Sequence, residues 1–384
     1  MPTIRRFRPA IARTAARITL VVAAAVCIVR PFALGAQNIP AKLGDGEFWK
    51  LVTDFSEANG FFRSDNFVSN ETTYQWVIPE LLRSTKPGGV YLGVGPDQNF
   101  TYLVALRPKV AFIFDIRRQN MLTHLMYKAI IEQSSDRADF LSRLFARPRP
   151  AGLDTSSTAD ALFGAFQAVV RDTVVERKNL ASIRERLTKH HGFALSDDDL
   201  ATIAYVYSAF VEGGPDLTYN FSQGRIGYGR SAMPSYAQLQ IEADSAGVRH
   251  SYMATEGNFR ILKELEANNL VVPVVGDFAG PKAIRLVARY LRDHDATVTA
   301  FYLSNVEQYL FNQEDDWRKF FGNVGALPLD STSTFIRSVF NGMGFNRAGP
   351  GMRAQQMLAS MLVQVRLFNE GHLSSYYDVI QTSR

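Results

Sequence analysis

The chain has 384 residues, of which 46% are hydrophobic, and this is enough to bury a large core. The formal net charge is +5, but residues 1–36 contain six arginines and no acidic residue. The remaining residues carry 36 Lys and Arg against 37 Asp and Glu, which is a net charge of −1. Because the folded body has no basic excess to hold a phosphate backbone, nucleic acid is disfavoured as a partner.

The amino-terminal segment has the layout of a secretory signal. Five arginines precede the apolar run ITLVVAAAVCIV at 18–29, and the small residues of ALGAQ follow, with a cleavage position after Ala36. The apolar run is too short to span a bilayer alone. We therefore expect residues 1–36 to be a signal peptide or an N-terminal anchor, and the body to lie on the periplasmic or extracellular side. A cytoplasmic location follows if translation starts further downstream.

Metal and disulfide chemistry are not expected in the body. Cys27 is the only cysteine and lies in the leader, and none of the six histidines shows metal-ligand spacing. The expected partner is a small-molecule ligand, with membrane contact only through the N-terminal segment.

Two helices are predicted before the first strand. The stretch GEFWKLVTDFSEANG at 46–60 has apolar residues at helical spacing. Ser69 or Asn70 could cap a second helix that carries Tyr74 inward. Asn70 and Glu71 are then either a helix start or residues that contact a substrate.

A βαβα unit follows at 88–135. VYLGVG and KVAFIFDI are strand sequences, and the second is a continuous apolar run, as in parallel strands that are covered on both faces. The alternation then stops for a helical insertion at about 140–250, with helices predicted at 158–176, 178–190 and 197–211. Three more strand sequences come later: LVVPVVGDF, ATVTAFYLSNV and STFIRSVF. A final long helix is predicted at 353–371, and no antiparallel hairpin is evident in this part.

The pattern predicts an α/β fold: a doubly wound parallel sheet (Rossmann-like) over 37–384, with the helical insertion after the second strand. Ligands bind at the carboxyl ends of the strands in such sheets. Each predicted strand ends in glycine or polar residues, which are Gly93, Gly95, Asp115, Gly276, Asp277, Ser304 and Asn305. We expect these ends to form one crevice.

The first turn and the second strand end favour a particular cofactor. Gly93 and Gly95 let the backbone approach a ligand, and Asp115, 22 residues after Gly93, can accept hydrogen bonds from a ribose. Gln98 stands where a dinucleotide site has its third glycine, and Asp97 would bring negative charge to the pyrophosphate. S-adenosylmethionine has one ribose and no phosphate. Neither the missing third glycine nor the negative charge of Asp97 therefore counts against it.

The motifs YLGVGPD, FIFDI, VVGDF and FYLSNVE, in this order, resemble those of the class I Rossmann-type S-adenosylmethionine-dependent methyltransferases. The chain over about 60–312 is also similar to an uncharacterised bacterial family with the phrases SNE, GVGPDQNFTY, DIRRQN and VVGDFAGPKA. The methyltransferase resemblance implies that the first turn, Gly93 to Asp97, holds the methionine part of the cofactor. It implies that Asp115 binds the ribose, and that Gly276 and Asp277 reach the adenine.

Further roles remain open at the edge of this crevice. Asn305 stands where the resemblance implies a polar group near the methyl donor, and Glu307 is a candidate acid or base. Of Arg117 and Arg118, one is expected to pair with an acid, and Arg118 is the candidate for a substrate carboxylate. Asp277 is alternatively the N-cap of the next helix.

The expected function is that of an S-adenosylmethionine-dependent methyltransferase-like protein with an unidentified acceptor. The leader conflicts with it, because this cofactor is made in the cytoplasm. One alternative is an exported, non-catalytic binding protein for a nucleoside-like or carboxylate ligand. Another is an NAD-dependent oxidoreductase.

Overall fold

The computed structural model describes residues 38–220, 233–340 and 354–384. The chain divides into two units, and the first of them, Met1–Gln37, lies outside the described residues. The predicted leader and its cleavage position therefore lie outside them as well. The second unit contains everything that follows.

The described residues contain a six-stranded mixed sheet flanked by helices. Its strands are β1 (Val90–Val94), β2 (Val110–Asp115), β3 (Val271–Val275), β4 (Val298–Ser304), β5 (Leu329–Phe340) and β6 (Ala354–Ser360). They lie in the order β3-β2-β1-β4-β5-β6. The first five are parallel, and β6 runs antiparallel to β5. The fold is therefore α/β, and the five predicted strands are confirmed as β1 to β5.

The sixth strand corrects the sequence-based prediction. Residues 353–371 were expected to be one long helix without an antiparallel partner, yet the helix begins only at Met361. Ala, Gln, Met and Leu all favour helices, so local propensity points the wrong way in this segment. Pairing of β6 with β5 from Thr334↔Ser360 to Phe340↔Ala354 overrides that preference.

Most of the described helices occupy connections between strands, whereas two precede β1 and two follow β6. They are α1 (Asp45–Phe55), α2 (Ile78–Ser84), α3 (Gln98–Leu106), α4 (Arg118–Gln133), α5 (Arg137–Phe145), α6 (Ala159–Gln167), α7 (Thr173–Glu185), α8 (Asp197–Gly213), α9 (Tyr236–Ile241), α10 (Glu256–Ala267), α11 (Ala283–Asp293), α12 (Val306–Leu310), α13 (Asp316–Gly325), α14 (Met361–Asn369) and α15 (Tyr376–Gln381). Within the described ranges, no helix is long and apolar enough to cross a membrane.

Helices α5 to α9 fill the long connection between β2 and β3. Helix α8 packs against α4, and α4 in turn packs against β2 and β3. The predicted helix at 158–176 is interrupted, because Asp172 caps the start of α7 by accepting hydrogen bonds from Val174 and Val175. Ser196 and Asp199 form a capping box at the start of α8.

The sheet topology brings the predicted strand ends together. From β1 the chain continues outward to β2 and β3, and it later returns to the other side of β1 to form β4 and β5. A crevice opens at such a reversal, beyond the carboxyl ends of the parallel strands. The buried strands and their aromatic contacts, such as Phe114 with Phe301, form the core beneath it.

Candidate functional site

A cavity of about 250 Å³ lies at the carboxyl ends of β1 to β4. Eight of the residues predicted from the strand ends and from the segment before β1 line it, namely Asn70, Glu71, Gly95, Asp115, Gly276, Asp277, Ser304 and Asn305. The structure therefore brings together residues that are up to 235 positions apart in the sequence.

Three side-chain hydrogen bonds hold the glycine turn after β1 in place. Gly95 has a φ of +80°, which favours glycine, and its carbonyl oxygen accepts from Asn99, Asn120 and His124. Burial lowers the pKa of the His124 ring to about 4, so this ring is neutral at pH 7. The position of the turn is thus fixed before any ligand arrives.

Gly93 is required for packing and does not line the crevice. A Cβ built on Gly93 would lie 2.0 Å from Oδ1 of Asn99. That same amide donates to the carbonyl oxygens of Val94 and Pro96, at 3.0 and 2.7 Å, and so holds the turn. The predicted direct role of Gly93 in cofactor binding is therefore replaced by an indirect one.

The side chain of Asp115 is held by Arg117. Nε of Arg117 donates to Oδ1 at 3.0 Å, Nη2 donates to Oδ2 at 2.9 Å, and the backbone N–H of Arg117 adds a third bond to Oδ1. Each side chain is only 8% exposed. With these bonds in place, Oδ2 keeps one acceptor position toward the crevice.

Arg117 also binds the segment at residues 62–65. Its Nη1 donates to the carbonyl oxygens of Ser64 and Asp65, at 2.7 and 2.9 Å, and its guanidinium lies 5.5 Å from the centre of the Phe62 ring. The sequence predicted that one of the two arginines would pair with an acid. In the structure both arginines pair with an acid, Arg117 with Asp115 and Arg118 with Asp199.

Asp277 follows β3 and is not the N-cap of the next helix. Its Oδ1 accepts from the backbone N–H of Ala279 at 2.8 Å, and burial raises its pKa. The next helix, α11, is capped instead by Glu57, whose carboxylate accepts from the N–H groups of Lys282 and Ala283. The alternative N-cap role for Asp277 is wrong, and its carboxylate remains at the crevice.

Glu71 forms the floor of the crevice and does not start a helix. Helix α2 begins at Ile78, and Thr73 has a φ of 66°, which breaks a helix. The Glu71 carboxylate accepts from the Tyr302 hydroxyl at 2.6 Å and from the hydroxyls of Ser304 and Ser338. Burial raises its pKa.

Sequence reasoning missed the residues that hold Glu71. The sequence patterns single out none of Tyr302 on β4, Ser338 on β5 and Gln356 on β6. A serine inside the apolar run FIRSVF was the available signal, since a buried hydroxyl needs a partner.

Asn305 and Glu307 have different environments although they are two residues apart. Asn305 lines the crevice, and its Nδ2 lies 3.4 Å from Oε1 of Gln308. Glu307 is buried behind the crevice, where both carboxylate oxygens accept from Arg337 on β5, at 2.7 and 3.1 Å. A carboxylate engaged in this way cannot serve as the predicted acid or base, so Glu307 is reassigned as structural.

Asp97 points away from the crevice. Its Oδ2 accepts from Gln240 and Tyr252 of the insertion, both at 2.9 Å, and burial raises its pKa to about 7. Helix α3 begins directly after it, and docking of the insertion decides which way its side chain turns. Asp97 is therefore no cofactor ligand, and its charge is no argument against a pyrophosphate.

Arg118 lies outside the crevice as well. It forms a bidentate pair with Asp199 of α8, at 2.6 and 2.9 Å. Its side chain borders a neighbouring depression that is also lined by Asn59 and Thr202. The predicted contact with a substrate carboxylate in the crevice is therefore wrong.

The crevice has an excess of acidic groups. Among the described residues, its lining includes four carboxylates, those of Glu71, Asp115, Asp277 and Asp316, and one cationic side chain, Arg117. That cation is already paired with Asp115, and Asp316 is paired with Lys319. No group of acidic, histidine or cysteine residues in the described ranges could hold a metal ion. The lining suits a neutral or cationic ligand better than a phosphate.

A known family model matches most of the chain. The family described as "Domain of unknown function (DUF7790)" matches residues 66–152 and 173–375, which together are most of the chain and include the floor and all four strand ends of the crevice. No curated protein matches the chain. The chain belongs to this family.

Proposed function

We propose that this protein binds S-adenosylmethionine in the crevice and is a methyltransferase acting on a small-molecule acceptor. The observation that carries the proposal is the charge of the crevice. The described part of the lining has four carboxylates, of which Asp115 and Asp316 are paired with Arg117 and Lys319. Set at the strand reversal, this acidic lining favours a ligand that carries a ribose and positive charge. Bound S-adenosylmethionine would supply a methyl group on a positively charged sulfur.

The sheet order supports the same proposal. The parallel order β3-β2-β1-β4-β5 is that of a Rossmann-like, doubly wound sheet, to which we assign the fold. In this assignment the Gly95 turn passes under the methionine part, and Asp277 accepts from the adenine amino group. Asn305, which lines the crevice, would lie near the methyl group.

The pair of Asp115 and Arg117 can bind a ribose without separating. One hydroxyl would donate to the free acceptor position of Oδ2. Nη2 of Arg117 has one N–H left after its bond to Oδ2, and it would donate to the second ribose oxygen. The two hydroxyls would therefore be bound by one donor and one acceptor, rather than by the carboxylate alone.

Such a protein accelerates methyl transfer by holding donor and acceptor in line and by excluding water, so no nucleophilic side chain is needed. The NAD alternative loses support because a pyrophosphate would meet the acidic lining. A non-catalytic binding protein would use the same crevice and would differ only in the absence of turnover.

Calorimetry on the purified protein tests the proposal with four ligands: S-adenosylmethionine, S-adenosylhomocysteine, NAD and NADP. We expect both adenosyl ligands to bind and both dinucleotides to fail. Absence of adenosyl binding at millimolar concentration refutes the proposal. Adenosyl binding without turnover on any acceptor, tested by radiolabelled methyl release, leaves the non-catalytic alternative.

A further inference from the structure

The floor of the crevice is a buried carboxyl group, that of Glu71, with no cationic partner among the described residues. Every described side chain that donates to the Glu71 carboxylate is neutral: the hydroxyls of Tyr302, Ser304 and Ser338, and the amide of Gln356 at 3.5 Å. Glu71 is 1% exposed. A buried carboxylate is costly without a cation, although hydroxyl donors reduce that cost.

A second acceptor lies beside this carboxylate. Nε2 of Gln98 donates to the Tyr302 hydroxyl at 3.2 Å, while Oε1 is buried and has no hydrogen-bond partner among the described residues. The orientation of the amide follows from Tyr302, which donates its proton to Glu71 and so can only accept from Gln98. The unpaired atom is therefore an oxygen, and Gln98 lines the crevice.

We propose that Glu71 and Gln98 form a subsite for a protonated amine of the ligand. An ammonium group has three N–H donors and one positive charge, so it satisfies both the orphan amide oxygen and the uncompensated carboxylate. A hydroxyl group would supply a single donor and no charge. A carboxylate or phosphate would be repelled.

The subsite for an amine stands on the contacts above, but the source of the amine rests on the proposed function. The floor is built from Tyr302 on β4, Ser338 on β5 and Gln356 on β6, whereas the ribose and adenine positions lie toward β2 and β3. We assign the amine to the methyl acceptor; the ammonium group of the cofactor's methionine part, which the Gly95 turn would hold, is the other source, and the adenosyl ligands below distinguish the two. Its ammonium form can pass one proton to the Glu71 carboxylate, which leaves the nitrogen lone pair free. The raised pKa of Glu71 suits this role.

The walls around the floor fit an apolar ligand body. Phe62, Phe278 and Tyr309 line the crevice, and the rings of Phe62 and Tyr309 are 5.8 Å apart. Phenethylamine is therefore a suitable probe, and phenethyl alcohol is its neutral counterpart. Calorimetry would compare both probes on the wild type, on Glu71→Gln and on Glu242→Gln. Glu242 is a matched control, since its pKa is also raised by burial but it does not line the crevice.

We expect the wild type and Glu242→Gln to bind the amine at least about tenfold more tightly than the alcohol, because only the amine forms a hydrogen bond between charged groups. Glu71→Gln should abolish the preference. Equal affinity of the wild type for both probes, or a preference that survives in Glu71→Gln, overturns the proposal. If Glu71→Gln does not fold, as judged by circular dichroism, Gln98→Met replaces it and should weaken amine binding severalfold.

Two adenosyl ligands decide the source of the amine. S-adenosylhomocysteine has an ammonium group, and methylthioadenosine lacks it. If Glu71→Gln weakens only S-adenosylhomocysteine and leaves the amine probes unaffected, the acceptor assignment is wrong. Unchanged binding of both adenosyl ligands, with loss of the amine preference, supports it. The probe measurement needs no cofactor, so failure of the methyltransferase proposal remains distinguishable.

Discussion

Removing the carboxylate of Asp115 is expected to destabilise the protein much more than a surface substitution would. Asp115→Ala leaves the Arg117 guanidinium, 8% exposed, without its charge partner. Removing one partner of a buried ion pair lowers the free energy of unfolding by about 3–5 kcal/mol. Two acceptors remain, the carbonyl oxygens of Ser64 and Asp65. We therefore expect a loss of about 3 kcal/mol in the free energy of unfolding, the lower end of that range.

Urea denaturation followed by tryptophan fluorescence measures this loss. The set comprises the wild type, Asp115→Ala, Arg117→Met and the double variant. The double variant should regain about 1–2 kcal/mol over Asp115→Ala, because no uncompensated charge remains. The reasoning fails if Asp115→Ala stays within about 1 kcal/mol of the wild type, or if the double variant is no more stable than Asp115→Ala.

Three further predictions concern separate parts of the chain. Gly95→Ala places a Cβ on a backbone with a φ of +80° and should cost about 1–2 kcal/mol of stability, with weaker S-adenosylhomocysteine binding by calorimetry. Burial raises the pKa of Asp97 from its ordinary value of 3.8 to about 7 in the folded state, so the folded protein keeps this proton to higher pH than the unfolded chain does. The free energy of unfolding therefore decreases as the pH rises from about 4 to 7. Relative to Asp97→Asn, the wild type should lose about 1.4 kcal/mol per pH unit in this window, and parallel pH curves would contradict the assignment. The mature protein from its native host should begin at Gln37, and N-terminal sequencing that finds Met1 would refute cleavage.

The parallel strands and their ends were predictable because they depend on local sequence. Continuous apolar runs mark β1 to β4, and each run stops at the residue that turns into the crevice. The positions of Gly95, Asp115 and Asp277 therefore followed from the pattern. Which cofactor they bind remains a prediction.

The directions of side chains beyond the strand ends were not predictable, because distant elements determine them. Asp97 turns toward Gln240 of the insertion, and Glu307 turns toward Arg337. The strand at 354–360 depends on its pairing with β5 and contradicts its own helix propensity. In each case the deciding partner lies far away in the sequence.

The hydrogen bond from Gln356 to Glu71 joins residues 285 positions apart. Loops of that length close slowly, and contacts of high sequence separation tend to form late in folding. The floor of the crevice is complete only when the last strand has docked. During synthesis, a nascent chain that already has its glycine turn and its first acidic strand end still lacks the lower part of the crevice. Ligand-binding competence should therefore appear only after release of the full-length chain, and truncation before β6 should remove it even where the parallel strands have formed.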